Sequence, residues 1–212
     1  MVTEHKNEEK PKIRLEALSD GMFAIIFTIL VLELIIKDVH FENASAFKNH
    51  LIQLYPKFLS YLLSFAILAG FWLGHTEQFY YINRINRPFI LTNVLFLFFI
   101  SLIPFSTTLI SEFTEFPLSV RVYGFNLLFC QFAFYLNWHS ISYYQLHYQN
   151  LHRKIISGHK KYIWIGLILD PIGIIATYIN ALLGLIILAL VPLIYLVLFA
   201  NDKRSFSRLY LK

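Results

Sequence analysis

The amino-acid sequence predicts an all-α integral membrane protein with six transmembrane helices, and three observations carry that prediction. Of 212 residues, 57% are hydrophobic and 15% are charged, against about 45–50% and about 25% in ordinary soluble domains. Polar surface is too scarce to cover a water-exposed core, so a soluble globular enzyme is excluded. The aromatic share is 17%, with 21 Phe and 13 Tyr, which suits lipid-facing and interfacial positions but would aggregate on a wet surface. The third observation is where the charge sits between the apolar runs.

Crossing a bilayer core of about 30 Å takes roughly 17–25 helical residues, and six runs meet or approach that length. They are Leu18 to Ile36, Phe58 to Phe79, Phe89 to Ile110, Val122 to Trp138, Tyr162 to Ile179 and Ala181 to Ala200. At the helical rise of 1.5 Å the first run extends about 28 Å and spans with little tilt. The fifth carries Asp170-Pro171 in its middle, where Pro removes a backbone hydrogen bond and a carboxylate is costly in lipid. A kink buried against neighbouring helices and a functional carboxylate both fit that pair. The last two runs are separated only by Tyr178-Ile179-Asn180, so a tight helical hairpin is expected. No internal duplication or low-complexity linker divides the chain, and residues 1–212 are read as one domain.

With the N-terminus placed inside, only Lys37, Lys48, Lys57 and Arg121 of the 18 Lys and Arg fall in outer segments. Basic residues accumulate on cytoplasmic loops, so this split predicts both termini on the cytoplasmic side of a cell membrane. It also removes nucleic acid as the partner implied by the net charge of +5, because the charge is spread along one membrane face. A basic leader and Ala44-Ser45-Ala46 resemble a secretory signal, but the polar stretch from Lys37 to Asn43 sets that pattern too far from the apolar run, and a retained helix is expected. Asn43-Ala44-Ser45 is a glycosylation sequon in the first outer loop. The single Cys130 makes no intrachain disulfide.

Polar residues within the spans share one depth once the topology is set. Arg14, Ser19 and Asp20 lie at the inner end of the first helix, Trp72 and His75 at that of the second, and Asn93 at that of the third. Intramembrane ionisable groups face the bundle interior and pair with other polar groups. Ser19, Asp20, His75 and Asn93 are therefore expected partners, with Arg14 near enough to compensate the carboxylate. A structural latch and a role in handling protons or ions are both open readings.

The first helix reads Arg14-Leu15-Glu16-Ala17-Leu18-Ser19-Asp20 followed by an apolar run containing Thr28. This resembles the signature helix of the transmembrane protein 175 family of potassium channels, whose pattern is Arg-x-x-x-Phe-Ser-Asp before an apolar, threonine-containing run; Leu18 stands where the family has Phe. Phe71-Trp72, His75, Asn93 and the Phe-rich run ending in Ile103-Pro104-Phe105 are similar too, so the resemblance covers helices one to three. It implies a cation channel in which helix one lines a central pore of a homo-oligomer, a homotetramer for a single-repeat chain. It further implies that Ile25, Ile29 and Leu32 form apolar rings, that Thr28 forms a hydroxyl layer, and that K⁺ is the permeant ion with no cofactor. Val122-Tyr123-Gly124-Phe125 lacks the preceding threonine of the usual potassium filter.

The residues alone agree in part. Positions 25, 29 and 32 share one helical face with 18, 22 and 36, although such a stripe is more commonly packing than pore. Glu33, Asp38, Glu112 and Glu115 place acidic groups at the outer end, where they would concentrate cations. His139, His147, His152 and His159 lack metal-ligand spacing, and neither a phosphate loop nor a nucleophile elbow occurs, so no enzyme activity is expected. The competing function is a proton-coupled secondary transporter relaying through Asp20, His75 and Asp170.

Overall fold

A computed structural model describes the backbone of residues 2–34, 43–147 and 153–201. Eight α-helices follow one another there: α1 (Val2–Leu30), α2 (Ala44–Gln53), α3 (Tyr55–Tyr81), α4 (Arg87–Ser101), α5 (Ile103–Glu112), α6 (Pro117–Tyr143), α7 (Arg153–Ala176) and α8 (Ala181–Asn201). A 3₁₀ turn, Val31–Leu34, continues α1. The expected membrane helices are all present: α1 with its 3₁₀ turn, α3, α4 with α5, α6, α7 and α8. Residues 35–42, which include Ile36, Lys37 and Asp38, lie outside the described residues.

Local sequence explains the breaks. Pro104 has no N–H to give the carbonyl of Ile100, and the third span divides at Leu102 into α4 and α5. Asn86 caps α4 by accepting the Phe89 amide at 3.0 Å, and Pro88 occupies its first turn, where a missing N–H costs nothing. Asn180 accepts the amides of Leu182 at 2.8 Å and Leu183 at 3.2 Å, which caps α8 immediately after α7 and makes the hairpin tight. Glycine then lets α7 and α8 meet: a Cβ on Gly184 would sit 2.8 Å from the carbonyl oxygen of Gly173. The helix α2 was not expected from the sequence. It is short and capped by Asn43, whose Oδ1 accepts the Ala46 amide at 2.8 Å, so the sequon asparagine is engaged in a helix cap.

Helix α6 is the centre of the bundle and packs against α4, α5, α7 and α8, whereas α1 packs against α3, α4 and α5. Among the described residues, Lys10–Leu34, Ala44–Tyr81 and Arg87–Glu112 are each long and apolar enough to cross a membrane, while α7 and α8 contribute the shorter apolar stretches Ile163–Ala176 and Ala181–Ile194. Helix α6 has 27 residues but buries Asn126, Gln131 and Asn137 inside the bundle. Its polar groups meet protein, so a central helix need not be uniformly apolar. At the end that holds the α3–α4 and α6–α7 connections, the Asn83 amide donates to the Leu146 carbonyl at 2.8 Å and Lys12 Nζ donates to the Ile82 carbonyl at 2.8 Å.

Candidate functional site

Helix α1 has two faces of different fate. Leu15, Ser19, Phe23, Ile26 and Leu30, spaced by three and four, are buried against the bundle. On the other side Leu18, Ile25, Ile29 and Leu32 are 54%, 56%, 42% and 55% exposed, and Thr28 is exposed among them. At 3.6 residues per turn, positions 25, 28, 29 and 32 fall within an arc of about 100°. Thr28 donates its hydroxyl proton to the Ile25 carbonyl at 2.7 Å, which leaves its oxygen lone pairs free on the stripe. Gly21 continues the stripe, with no atom within 4 Å of where its Cβ would stand. Met22 does not belong to it, being half-buried against the core.

A chain of hydrogen bonds crosses the base of α1. Ser19 Oγ donates to the Leu15 carbonyl at 2.9 Å and accepts from Asn93 Nδ2 at 3.1 Å. The amide of Asn93 is thereby oriented, and its Oδ1 must accept. It takes the Nε2–H of His75 at 2.8 Å and a weaker contact from Asn137 Nδ2 at 3.4 Å. Ser19, His75, Asn93 and Asn137 are all buried, so the chain ties α1, α3, α4 and α6 together where water cannot compete. The imidazole of His75 also lies among Phe23, Phe79 and Phe96, with ring centroids at 5.7, 4.7 and 5.7 Å. Asp20 stands apart from His75 and accepts from Trp72 Nε1 at 3.2 Å. Arg14 is exposed, and no hydrogen bond or ion pair joins it to Asp20.

At the far end of α1, Glu33 Oε1 accepts from Thr108 Oγ1 at 2.6 Å, which anchors the 3₁₀ turn to α5. Glu112 pairs with Lys57 at 3.1 Å on partly exposed side chains, and Glu115 is exposed. Asp170 is 2% exposed and lines a cavity with Gln131; no hydrogen bond links it to His75 or Asp20. Among the described residues no group of His, Cys, Asp and Glu gathers in a way that would hold a metal ion, and His152 falls outside them. Helix counting placed Ser19, His75 and Asn93 at one depth but missed Asn137 and the Glu33–Thr108 bond. The signal for Asn137 was an amide within an apolar helix; Thr108 carried none, because threonine in a membrane helix commonly bonds its own backbone.

Comparisons with known proteins bear on this arrangement. Residues 14–104 match the family model described as Endosomal/lysosomal potassium channel TMEM175. The chain is 32% identical over 195 residues to a potassium channel of Chryseobacterium sp. (strain P1-3), covering 91% of this chain and 95% of that relative. It is 34% identical over 110 residues to a potassium channel of Chamaesiphon minutus (strain ATCC 27169 / PCC 6605), covering 52% of this chain and 54% of that relative; the match thus spans about half of the latter's length. Cattle carry a relative named as an endosomal/lysosomal proton channel, 34% identical over 117 residues, which are 52% of this chain and 24% of that protein. Among solved structures, the crystal structure of a lysosomal potassium-selective channel TMEM175 homolog from Chamaesiphon minutus superposes with a TM-score of 0.79 at 25% identity, covering 91% of this chain and 100% of the other.

Proposed function

The chain belongs to the TMEM175 family, and from that premise we propose that it is a passive, potassium-permeable cation channel whose conduit is lined by the exposed stripe of α1. The observation that carries this reading is the stripe itself: a helix fully packed on one side presents Ile25, Ile29 and Leu32 and the hydroxyl of Thr28 on the other. One such helix encloses nothing. Copies related by a closed rotation axis turn each residue into a ring, and a homotetramer, with residues 1–212 of each subunit forming one six-helix membrane domain, is the assembly proposed. Both termini then lie on the cytoplasmic side of the cell membrane, since fourteen of the 18 basic residues lie on that side.

In this assembly conduction follows from the ring chemistry. An ion entering a narrow ring of Ile side chains sheds water and receives no oxygen in return, so the ring blocks by dewetting until it widens. The Thr28 layer is the one place on the stripe where hydroxyl oxygens meet a partly hydrated cation. The buried chain Ser19–Asn93–His75 and the Glu33–Thr108 bond hold the two ends of α1 against the bundle, so ring diameter is set by helices that do not touch the ion. A proton-coupled transporter would require Asp20, His75 and Asp170 to communicate. Here Asp20 bonds Trp72, His75 bonds Asn93, and Asp170 bonds neither, which favours the channel.

Potassium flux from liposomes containing the purified chain tests the proposal. A flux driven by the K⁺ gradient alone, raised by Ile25→Ala or Ile29→Ala, is the expected result. Flux that needs a second coupled solute, or that neither substitution alters, would overturn it.

A further inference from the structure

Asp170 lies in the C-terminal half of α7, 2% exposed, and its Oδ1 has no hydrogen-bond partner. It borders a partly open cavity of ≈ 40 Å³ lined by α3, α6, α7 and α8. This space is distinct from the stripe on α1. Its other polar lining side chain is Gln131, whose orientation can be read from its bond: Nε2 donates to the Ile163 carbonyl at 3.1 Å, so the amide's oxygen is the end left over. Gly166 makes that placement possible, because a Cβ there would stand 2.7 Å from the Gln131 amide. Pro192 also lines the cavity. Gly70 adds backbone with no side chain over it.

The polar side chains of this cavity therefore offer acceptors: a carboxylate and an amide oxygen. The side-chain donor present, Gln131 Nε2, is already committed. A buried carboxylate without a counter-charge is costly at membrane depth. A single carboxylate suits one positive charge, whereas a divalent ion gathers more oxygens and more charge. Space of ≈ 40 Å³ holds an ion with one or two waters, given that a water needs roughly 10–15 Å³ of such space.

We propose that the cavity between α3, α6, α7 and α8 is a binding site for a monovalent metal cation, Na⁺ or K⁺, ligated by Asp170 and the Gln131 amide oxygen. Bound there, the ion cross-links the α7–α8 hairpin to α6 and stabilises the fold from a position outside the conduit.

Thermal unfolding of the full chain in detergent tests the site, at constant ionic strength with potassium chloride, or in a parallel series sodium chloride, exchanged stepwise for N-methyl-D-glucamine chloride, whose secondary ammonium is a hydrogen-bond donor and not a metal ion. The wild type is expected to melt higher as K⁺ replaces the organic cation, and Asp170→Asn to lose at least half of that rise. Gln131→Leu, which leaves the carboxylate in place, provides the same reading if Asp170→Asn does not fold: the K⁺ concentration at half-effect should move up severalfold. A wild type indifferent to both K⁺ and Na⁺ would mean that the carboxyl holds a proton, and would overturn the proposal. So would an unchanged rise in Asp170→Asn, or an unchanged half-effect concentration in Gln131→Leu.

Discussion

Replacing Asn93 with leucine removes the junction of the buried chain at the base of α1. Three contacts go: the donation to Ser19 at 3.1 Å, the acceptance from His75 at 2.8 Å and the weak one from Asn137 at 3.4 Å. Side-chain hydrogen bonds in membrane proteins average about 0.6 kcal/mol and reach about 1.7, while each buried polar atom left unpaired costs about 1–3 kcal/mol. Asn93→Leu should therefore destabilise by about 2–4 kcal/mol. His75→Leu should cost less, about 1–2 kcal/mol, because it breaks one bond and keeps an apolar group among Phe23, Phe79 and Phe96. The informative quantity is their coupling. If the two side chains act through their shared bond, the double variant is less destabilised than the sum of the singles by about 1 kcal/mol. Unfolding in mixed micelles titrated with dodecyl sulfate, followed by loss of helicity for the four proteins, measures it. Additivity within about 0.3 kcal/mol would show that His75 and Asn93 contribute independently and that the chain of bonds is not a unit.

Thr28→Ala removes the one hydroxyl of the stripe; with Na⁺ and K⁺ on opposite sides of the membrane, the reversal potential should move toward zero while conduction persists, and an unchanged potential would take Thr28 out of selectivity. Gly184→Leu should lower the melting temperature markedly, by an overpacking cost of about 1–3 kcal/mol or more, since its Cβ alone would press on the Gly173 carbonyl at 2.8 Å. By contrast Gly21→Ala, with nothing within 4 Å, should change melting by less than about 1 kcal/mol; equal losses in the two variants would contradict the packing described for α7 and α8.

The apolar helices were readable because bilayer thickness imposes a length on apolar runs. What hydropathy could not supply is depth within the bundle. Helix α6, central in the fold, buries Asn126, Gln131 and Asn137, and it extends beyond the apolar run at both ends, into Pro117–Arg121 and His139–Tyr143, where Ser, Arg and His interrupt the apolar pattern. The break at Pro104 and the cap at Asn43 follow rules visible in the sequence, yet α2 was hidden because its ten residues are too few to show a clear period. Shared depth could be counted along helices one to three, and there Ser19, His75 and Asn93 hydrogen-bond. Contacts between helices distant in sequence, such as Asn93 with Asn137 and Glu33 with Thr108, depend on how the bundle closes, which no local pattern encodes. Asp170 left two readings open for the same reason: whether a carboxylate is paired is decided by α3, α6 and α8, not by its own helix.

That α1 lines the path of the ion is tested most directly by asking whether water and ions reach its stripe. The sequence contains one cysteine, Cys130, and it is fully buried, so a thiol introduced elsewhere can be modified selectively. Thr28→Cys places one on the stripe, and Ile168→Cys places one on α7, 57% exposed but away from α1. With a charged, water-soluble methanethiosulfonate reagent applied during K⁺ flux from liposomes, flux should fall rapidly for Thr28→Cys and stay constant for Ile168→Cys. Flux through Thr28→Cys that is insensitive to the reagent, or loss of flux in both variants alike, would contradict the assignment of the conduit to this face of α1.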